Sequence, residues 1–309
     1  MELVRGLHNL RPRHRGCVAT IGNFDGVHRG HQAVFEQLSH TARAQQLPLT
    51  VITFEPQPRE FFDPAATPSR LTRLREKLQA MRACGVDRVV CLRFNAGLAS
   101  LPPADFIRAI LVEGLDVRYL VVGDDFRFGR DRAGNFALLK QAGTQQGFPV
   151  VTMQTFDVGG SRVSSTRIRA ALEAGDLETA ASLLGRPYGM CGRVAHGDKR
   201  GRTIGYPTAN IHLHRIVAPV AGVFAVEMHG LPGAPLPGIA NIGSRPTVGG
   251  IRSQLEVHLF DFDRDIYGCH VEVSFLHKIR EEQRFETLEA LQAQIRQDTE
   301  QARTWFADR

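Results

Sequence analysis

The feature that most constrains this chain is a change of pattern at Gly185-Arg186-Pro187. Before it, short β-rich runs alternate with helical ones. Val18–Ile21, Thr50–Phe54, Arg88–Leu92, Leu120–Val122 and Val150–Thr152 read as strands. His31–Gln45, Leu71–Cys84, Ala104–Val112 and Asn135–Gln146 read as helices between them. Strands separated by helices demand crossover connections, so the expected sheet is parallel, with ligands at the carboxyl ends of its strands. Two short helices, Thr166–Glu173 and Leu177–Leu184, follow, with Asp176 as a cap for the second. After residue 185 the runs Gly192–Ala195, Gly222–Met228, Gly238–Ile242, Leu255–Phe260 and His270–Leu276 are separated by Gly/Pro turns. That spacing predicts an antiparallel barrel or sandwich. Thr287–Phe306, with Leu288, Leu291 and Ile295 at helical spacing, predicts a closing amphipathic helix. The expected domains are therefore residues 1–184 and 185–309.

Composition narrows the function classes. Hydrophobic residues at 43% and charged residues at 23% are those of a globular protein. No apolar run approaches the ~20 residues of a membrane span, and the N-terminus lacks a signal-peptide pattern. The five cysteines are scattered and contain no CxxC, which fits neither a disulfide framework nor a zinc site. A cytoplasmic protein with no membrane partner is expected. Before residue 185 there are 23 basic and 18 acidic residues, after it 15 and 14. So mild and dispersed an excess suits anionic small molecules better than nucleic acid.

Three segments of the first half carry phosphate chemistry. Ile21-Gly22-Asn23-Phe24-Asp25-Gly26-Val27-His28-Arg29-Gly30-His31 joins the first strand to the first helix. Its glycines permit a sharp turn, and the new helix offers unpaired N–H groups and a positive dipole end to a phosphate. His28 and His31 can donate to phosphate oxygens as charge builds in a displacement. They could instead bind a metal, but nothing adjacent completes a ligand set. The loop does not meet the G-x-G-x-x-G dinucleotide pattern. Arg162-Val163-Ser164-Ser165-Thr166-Arg167-Ile168-Arg169 combines guanidinium forks with hydroxyls that could equally cap the helix they precede. Gly123-Asp124-Asp125-Phe126-Arg127-Phe128-Gly129 ends a predicted strand, where its carboxylates could meet a ribose or base and its aromatics could stack.

The second half carries two more. Gly197-Asp198-Lys199-Arg200-Gly201-Arg202 is a glycine-bounded basic loop able to wrap a nucleotide, or a solvated hairpin, and it is not a P-loop. Pro207-Thr208-Ala209-Asn210 follows, with two hard oxygen ligands on one side of an extended segment, suited to Mg²⁺. In Leu255–Phe262, alternation puts Glu256 and His258 on one face and Leu255, Val257 and Leu259 on the other. Glu256 could be an ordinary surface residue or a general base for an alcohol attacking ATP.

Residues 1 to about 184, through the three segments above, resemble the adenylyltransferase domain of bacterial bifunctional riboflavin kinase/FAD synthetases. The resemblance implies a Rossmann-like nucleotidyltransferase fold and direct attack of the FMN phosphate on the α-phosphate of ATP, with pyrophosphate leaving. It implies ATP along Gly22, Asn23, Phe24, Asp25, His28 and His31, with Arg162, Ser165, Thr166 and Arg169 as a second phosphate-binding set, Asp125 on the adenosine side, and Mg²⁺ bridging the phosphates. Residues 185–309 resemble the family's riboflavin kinase domain, through the long string from Gly192 to Asn210, Asn241–Thr247, Leu255–Phe262 and the closing Arg280, Phe285, Gln294, Ile295 and Asp298. This implies a six-stranded antiparallel barrel, ATP at Gly192, Val194, Gly197, Lys199 and Arg202, Mg²⁺-ATP at Thr208 and Asn210, and Glu256 activating the riboflavin 5′-hydroxyl for attack on the γ-phosphate. Val163 stands where Ile is commoner, and the 212–218 loop is idiosyncratic. Two rivals are a single-activity adenylyltransferase with a degenerate barrel and a basic nucleic-acid-binding protein. Intact Thr208, Asn210 and Glu256 oppose the first. The absence of RRM, KH or helix-turn-helix patterns opposes the second.

Overall fold

The computed structural model describes residues 1–153, 156–196, 205–215, 217–247 and 250–309, without the side chains of 244–252. It divides by packing into one unit of Met1–Pro68 and Thr72–Val163 and another of Ser69–Leu71 and Ser164–Arg309.

The first unit is built on six strands, β1 (Glu2–Arg5), β2 (Cys17–Ile21), β3 (Leu49–Glu55), β4 (Arg88–Arg93), β5 (Val117–Val122) and β6 (Val150–Thr152). They form one parallel sheet in the order β1-β4-β3-β2-β5-β6. Every residue of β2 is buried, as expected of a strand covered on both faces. Alternation sends Cys17, Ala19 and Ile21 to one face, with Phe106, Ile110 and Leu111, and Val18 to the other, with Val34, Phe35, Leu38 and Met81. The helices of this unit are α1 (Arg29–Ala44), α2 (Pro58–Phe62), α3 (Leu74–Ala83), α4 (Ala96–Ala99), α5 (Pro103–Phe106) and α6 (Phe136–Gln146). The run predicted over Ala104–Val112 is α5 continued by a π-helical stretch, Ile107–Gly114. A small hairpin, β7 (Asp157–Val158) with β8 (Ser161–Arg162), closes the unit.

Sequence periodicity had no purchase on β1, four residues with charges at both ends. Long-range ties hold it instead. Arg11 N–H donates to His14 Nδ1, and the buried His14 ring sets its Nε2 3.1 Å from Glu2 Oε1. Arg13 and Arg88 also donate to Glu2. The His14 hydrogen bond, then those from the two arginines, holds the Glu2 carboxyl at about 2, below its usual 4.5. A carboxyl whose folded pKa is depressed contributes stability above its unfolded pKa and loses it as pH falls through the folded one. Glu2→Gln is therefore expected to lower stability at pH 7, with the deficit closing as pH falls from about 5 towards 2. Glu2 is 38% exposed, so screening keeps the deficit near 1 kcal/mol or less. Urea unfolding of both proteins across that range measures it.

The second unit opens with α7 (Ser165–Glu173) and α8 (Leu177–Leu184). The Asp176 side chain accepts from the Thr179 N–H, the predicted cap of α8. Six strands follow, β9 (Tyr188–Ala195), β10 (Ala209–His212), β11 (Gly222–His229), β12 (Leu236–Thr247), β13 (Gly250–Leu259) and β14 (His270–Arg280). They close into an antiparallel barrel in the order β10-β13-β12-β11-β14-β9. Val194, Ile211, Phe224, Ala240, Ile242, Leu255 and Val257 are buried at alternating positions, so the barrel's filling is apolar and its outward positions are polar except where the last helix covers them. The last helix, α9 (Leu288–Ala307), is capped by Thr287 and lays Ala302, Ile295 and Phe306 on Ala225, Ile239 and Phe260. Arg280 grips the buried Asp298 with Nε and Nη2, and Gln294 donates to the same carboxylate. Among the described residues, no helix is long and apolar enough to cross a membrane.

Candidate active sites

In the first sheet the chain runs β2, β3, β4 outward in one direction and then returns to place β5 and β6 on the other side of β2. The order reverses between β2 and β5, and the crevice beyond their carboxyl ends is where such sheets bind ligands. Both glycine-rich segments of the unit open there, 22–28 after β2 and 123–129 after β5. The first segment is held in a costly shape. Phe24 and Val27 have φ of 48° and 44°, and Gly26 has φ of 84°. A buried tie fixes it. Asp25 Oδ1 accepts from Thr72 N–H and Oγ1, and Thr72 Oγ1 accepts from Gly26 N–H at 2.9 Å. Asp25, a residue expected to touch ATP, thus spends one oxygen on the loop's own support. Asn23 is exposed and Gly22 half-buried. Thr72→Val is expected to cost about 1–3 kcal/mol in stability, since it orphans buried groups. It should also slow any chemistry of the loop about tenfold, a joint effect that unfolding and rate measurements on one sample will register.

His28 stands at the N-cap of α1, and no side chain caps the helix. Its first-turn N–H groups are thus available to an anion. The His28 and His31 rings stack, with centroids 3.6 Å apart and 16° between planes. Gly30 makes this possible, because a Cβ there would lie 3.3 Å from the His28 ring. Phe24 closes on His31 edge-on at 5.1 Å. Burial, then the neighbouring His28 and Lys77, push the His31 pKa well below its ordinary value, so His31 is neutral at pH 7. Its Nδ1 is enclosed without a hydrogen-bond partner among the described residues. Lys77 on α3 is fully buried, unusual for a lysine.

Asp125 is exposed beyond β5, its carboxylate folded over Gly123, and the Phe126 and Phe128 rings stack beside it. Arg162 is exposed on β8. Ser165, Thr166 and Arg169 fall in the second packing unit, on α7. The cap of that helix is Ser164, whose Oγ accepts from Arg167 N–H at 3.2 Å, so the capping function does not consume Ser165 or Thr166. Arg169 Nε donates to the Ser69 carbonyl at 2.6 Å and so ties the 69–71 segment to α7.

On the barrel, direct cross-strand pairing aligns Asn210 on β10 with Glu256 on β13. Opposed residues share a face, and these two point outward, both half-buried. Asn210 Oδ1 accepts from Gln254 Nε2 at 2.8 Å, which fixes the amide and leaves the oxygen a second lone pair. Thr208 is half-buried just ahead of β10, and His258 Nδ1 lies 2.9 Å from the Pro207 carbonyl, tying β13 to the same segment. Gly192 is required for strand packing, since a Cβ there would strike the His212 carbonyl. The Val194 side chain lies in the barrel interior, so any contact it makes with a nucleotide is through its main chain. Gly197, Lys199 and Arg202 lie outside the described residues. Gln254, Thr72 and Lys77 escaped sequence reasoning. Nothing local marks them, because each acts through a partner distant in the chain.

A parallel α/β unit with a glycine-rich loop and paired imidazoles at its switch point, followed in the chain by a closed antiparallel barrel with polar side chains aligned on its outer face, fits the class of two-domain phosphate-transferring enzymes. Residues 10–167 match the family model described as FAD synthetase, and residues 184–306 the one described as riboflavin kinase. The chain is 55% identical over 307 residues to the bifunctional riboflavin kinase/FMN adenylyltransferase of Escherichia coli strain K12, covering 99% of this chain and 98% of that one. It is 48% identical over 306 residues to the protein of the same name from Haemophilus influenzae, covering 99% of each. A crystal structure named as a macrolide-efflux protein from Streptococcus pneumoniae superposes with a TM-score of 0.82 at 31% identity, covering 99% of this chain and all of that one. The chain belongs to the bifunctional riboflavin kinase/FMN adenylyltransferase family.

Proposed function

We propose that the chain converts riboflavin to FMN on the barrel's outer face and FMN to FAD at the switch point of the parallel sheet. The observation that carries this is the separation of two differently equipped sites: a helix N-terminus with paired imidazoles in one, a carboxylate opposite a fixed amide oxygen in the other. Residues 185–309 are assigned to the kinase step and 1–184 to the adenylyl transfer, with Arg162, Ser165, Thr166 and Arg169 as the second phosphate set.

In the kinase step, Glu256 takes the proton of the riboflavin 5′-hydroxyl while that oxygen attacks the γ-phosphate and ADP leaves. Thr208 and Asn210 would hold Mg²⁺ with the nucleotide. The donor set fits, since both offer neutral hard oxygens and Asn210 Oδ1 is already aimed by Gln254. When bound, the ion neutralises charge on the phosphates. Gly197, Lys199 and Arg202 are assigned to nucleotide binding from the sequence alone.

In the adenylyl step, an FMN phosphate oxygen attacks the α-phosphate of ATP and pyrophosphate leaves. The α1 N-terminus, His28 and His31 donate hydrogen bonds to the phosphates as charge shifts to the leaving group. A neutral His31 is a donor that does not first have to lose a counter-ion. Arg162, Ser165, Thr166 and Arg169 add phosphate contacts, and Asp125 a contact on the adenosine side. Small molecules are the partners, nucleic acid is not, and the reaction takes place in the cytoplasm. Incubating the purified chain with riboflavin, ATP and Mg²⁺ and separating the flavins tests the reading: FMN followed by FAD is expected, and unchanged riboflavin would refute it.

A further inference from the structure

The outward row that pairs Asn210 with Glu256 continues one strand further. Asn241 on β12 lies directly opposite Glu256 on β13, on the side away from Asn210. Three polar side chains thus stand in line across β10, β13 and β12, with Cβ atoms about 5 Å apart at each step. Their order has chemical meaning. The proposed nucleotide end is β10, where Thr208 and Asn210 sit, and the proposed base is at the centre. In-line transfer puts the attacking oxygen at the base, with the donor phosphate on one side, so the rest of the acceptor extends to the other side, over β12. There Asn241 is exposed, and among the described residues its amide makes no hydrogen bond. On β12 itself the neighbouring outward positions offer no polar side chain. Ile239, two residues away, is covered by α9. Gly243, two residues the other way, has no side chain, and a Cβ there would collide with the Glu282 carboxylate.

We propose that Asn241 binds a hydroxyl of the acceptor's polyol chain next to the reacting one, and so selects a polyhydroxylated side chain over a simple primary alcohol. An amide both donates and accepts, which matches a secondary hydroxyl that does both. This rests on the kinase reading above, and on Glu256 as the centre of the row.

The experiment compares kcat/KM for riboflavin with that for riboflavin analogues lacking the 4′- or the 3′-hydroxyl, in the intact chain and in Asn241→Ala. The unaltered protein should disfavour at least one of the two deoxy analogues about tenfold, the worth of one lost hydrogen bond. Asn241→Ala should lose about tenfold on riboflavin and discriminate against neither analogue. Asn241 is exposed, so the variant should keep its melting temperature and its rate of FAD formation from FMN. Discrimination against either analogue that persists unchanged in Asn241→Ala, or its absence from the unaltered protein, overturns the proposal. Glu256→Gln, assayed beside it, separates the two ideas. Its full activity would sink the assignment of the base while leaving the analogue ratios to judge Asn241 alone.

Discussion

Glu256→Gln is expected to slow FMN formation by about 10²–10⁴-fold, the usual contribution of a positioned general base, and to leave FAD formation from FMN at its original rate. The substitution keeps the shape of the side chain and its place opposite Asn210, so the barrel loses no packing. It removes the carboxylate that would accept a proton from the acceptor hydroxyl. Initial rates of the two half-reactions, each started from its own flavin, give both numbers from one preparation. Equal loss of both rates would contradict the assignment.

The converse variant, His28→Ala with His31→Ala, should lower FAD formation from FMN by about 10³-fold and spare the kinase step. A donor aimed at developing phosphate charge is worth about 10²–10³-fold, and two that stack on each other act as a unit, so their losses do not multiply in full. Removing both rings also vacates space beside Phe24, whose own ring leans on Phe35. A melting temperature measured alongside the rates separates lost chemistry from a loosened loop. Kinase activity that falls in step with the adenylyl transfer would show that the two steps share a site.

The strands of the first sheet were legible because strands buried on both faces read as apolar runs, as β2, β3 and β4 do, and β5 and the short edge strand β6 still carry Val/Leu runs. β1 was not, since its place depends on Glu2 meeting His14 and Arg88 across the chain. In the barrel, alternation located five strands, but β10 was hidden within the Pro207-Thr208-Ala209-Asn210 segment, whose polar residues read as a site rather than as structure. The paired histidines and Glu256 were visible because their chemistry is local to a motif. Their supports were not. Thr72 holds the 22–28 loop from 46 residues away, and Gln254 aims Asn210 from 44. Val194 shows the opposite limit: its place in a matching string says nothing of a side chain that the barrel turns inward.

The central claim, two successive phosphate transfers at two sites, is tested most directly by following phosphorus. The intact chain is incubated with riboflavin and Mg²⁺ and with ATP labelled at either the γ- or the α-phosphate, and FMN and FAD are separated over time. The account predicts γ-label in FMN and then in FAD, and α-label in FAD alone, so that FAD carries one phosphorus of each origin. Label from the α-position in FMN, or FAD without label from the γ-position, would contradict it.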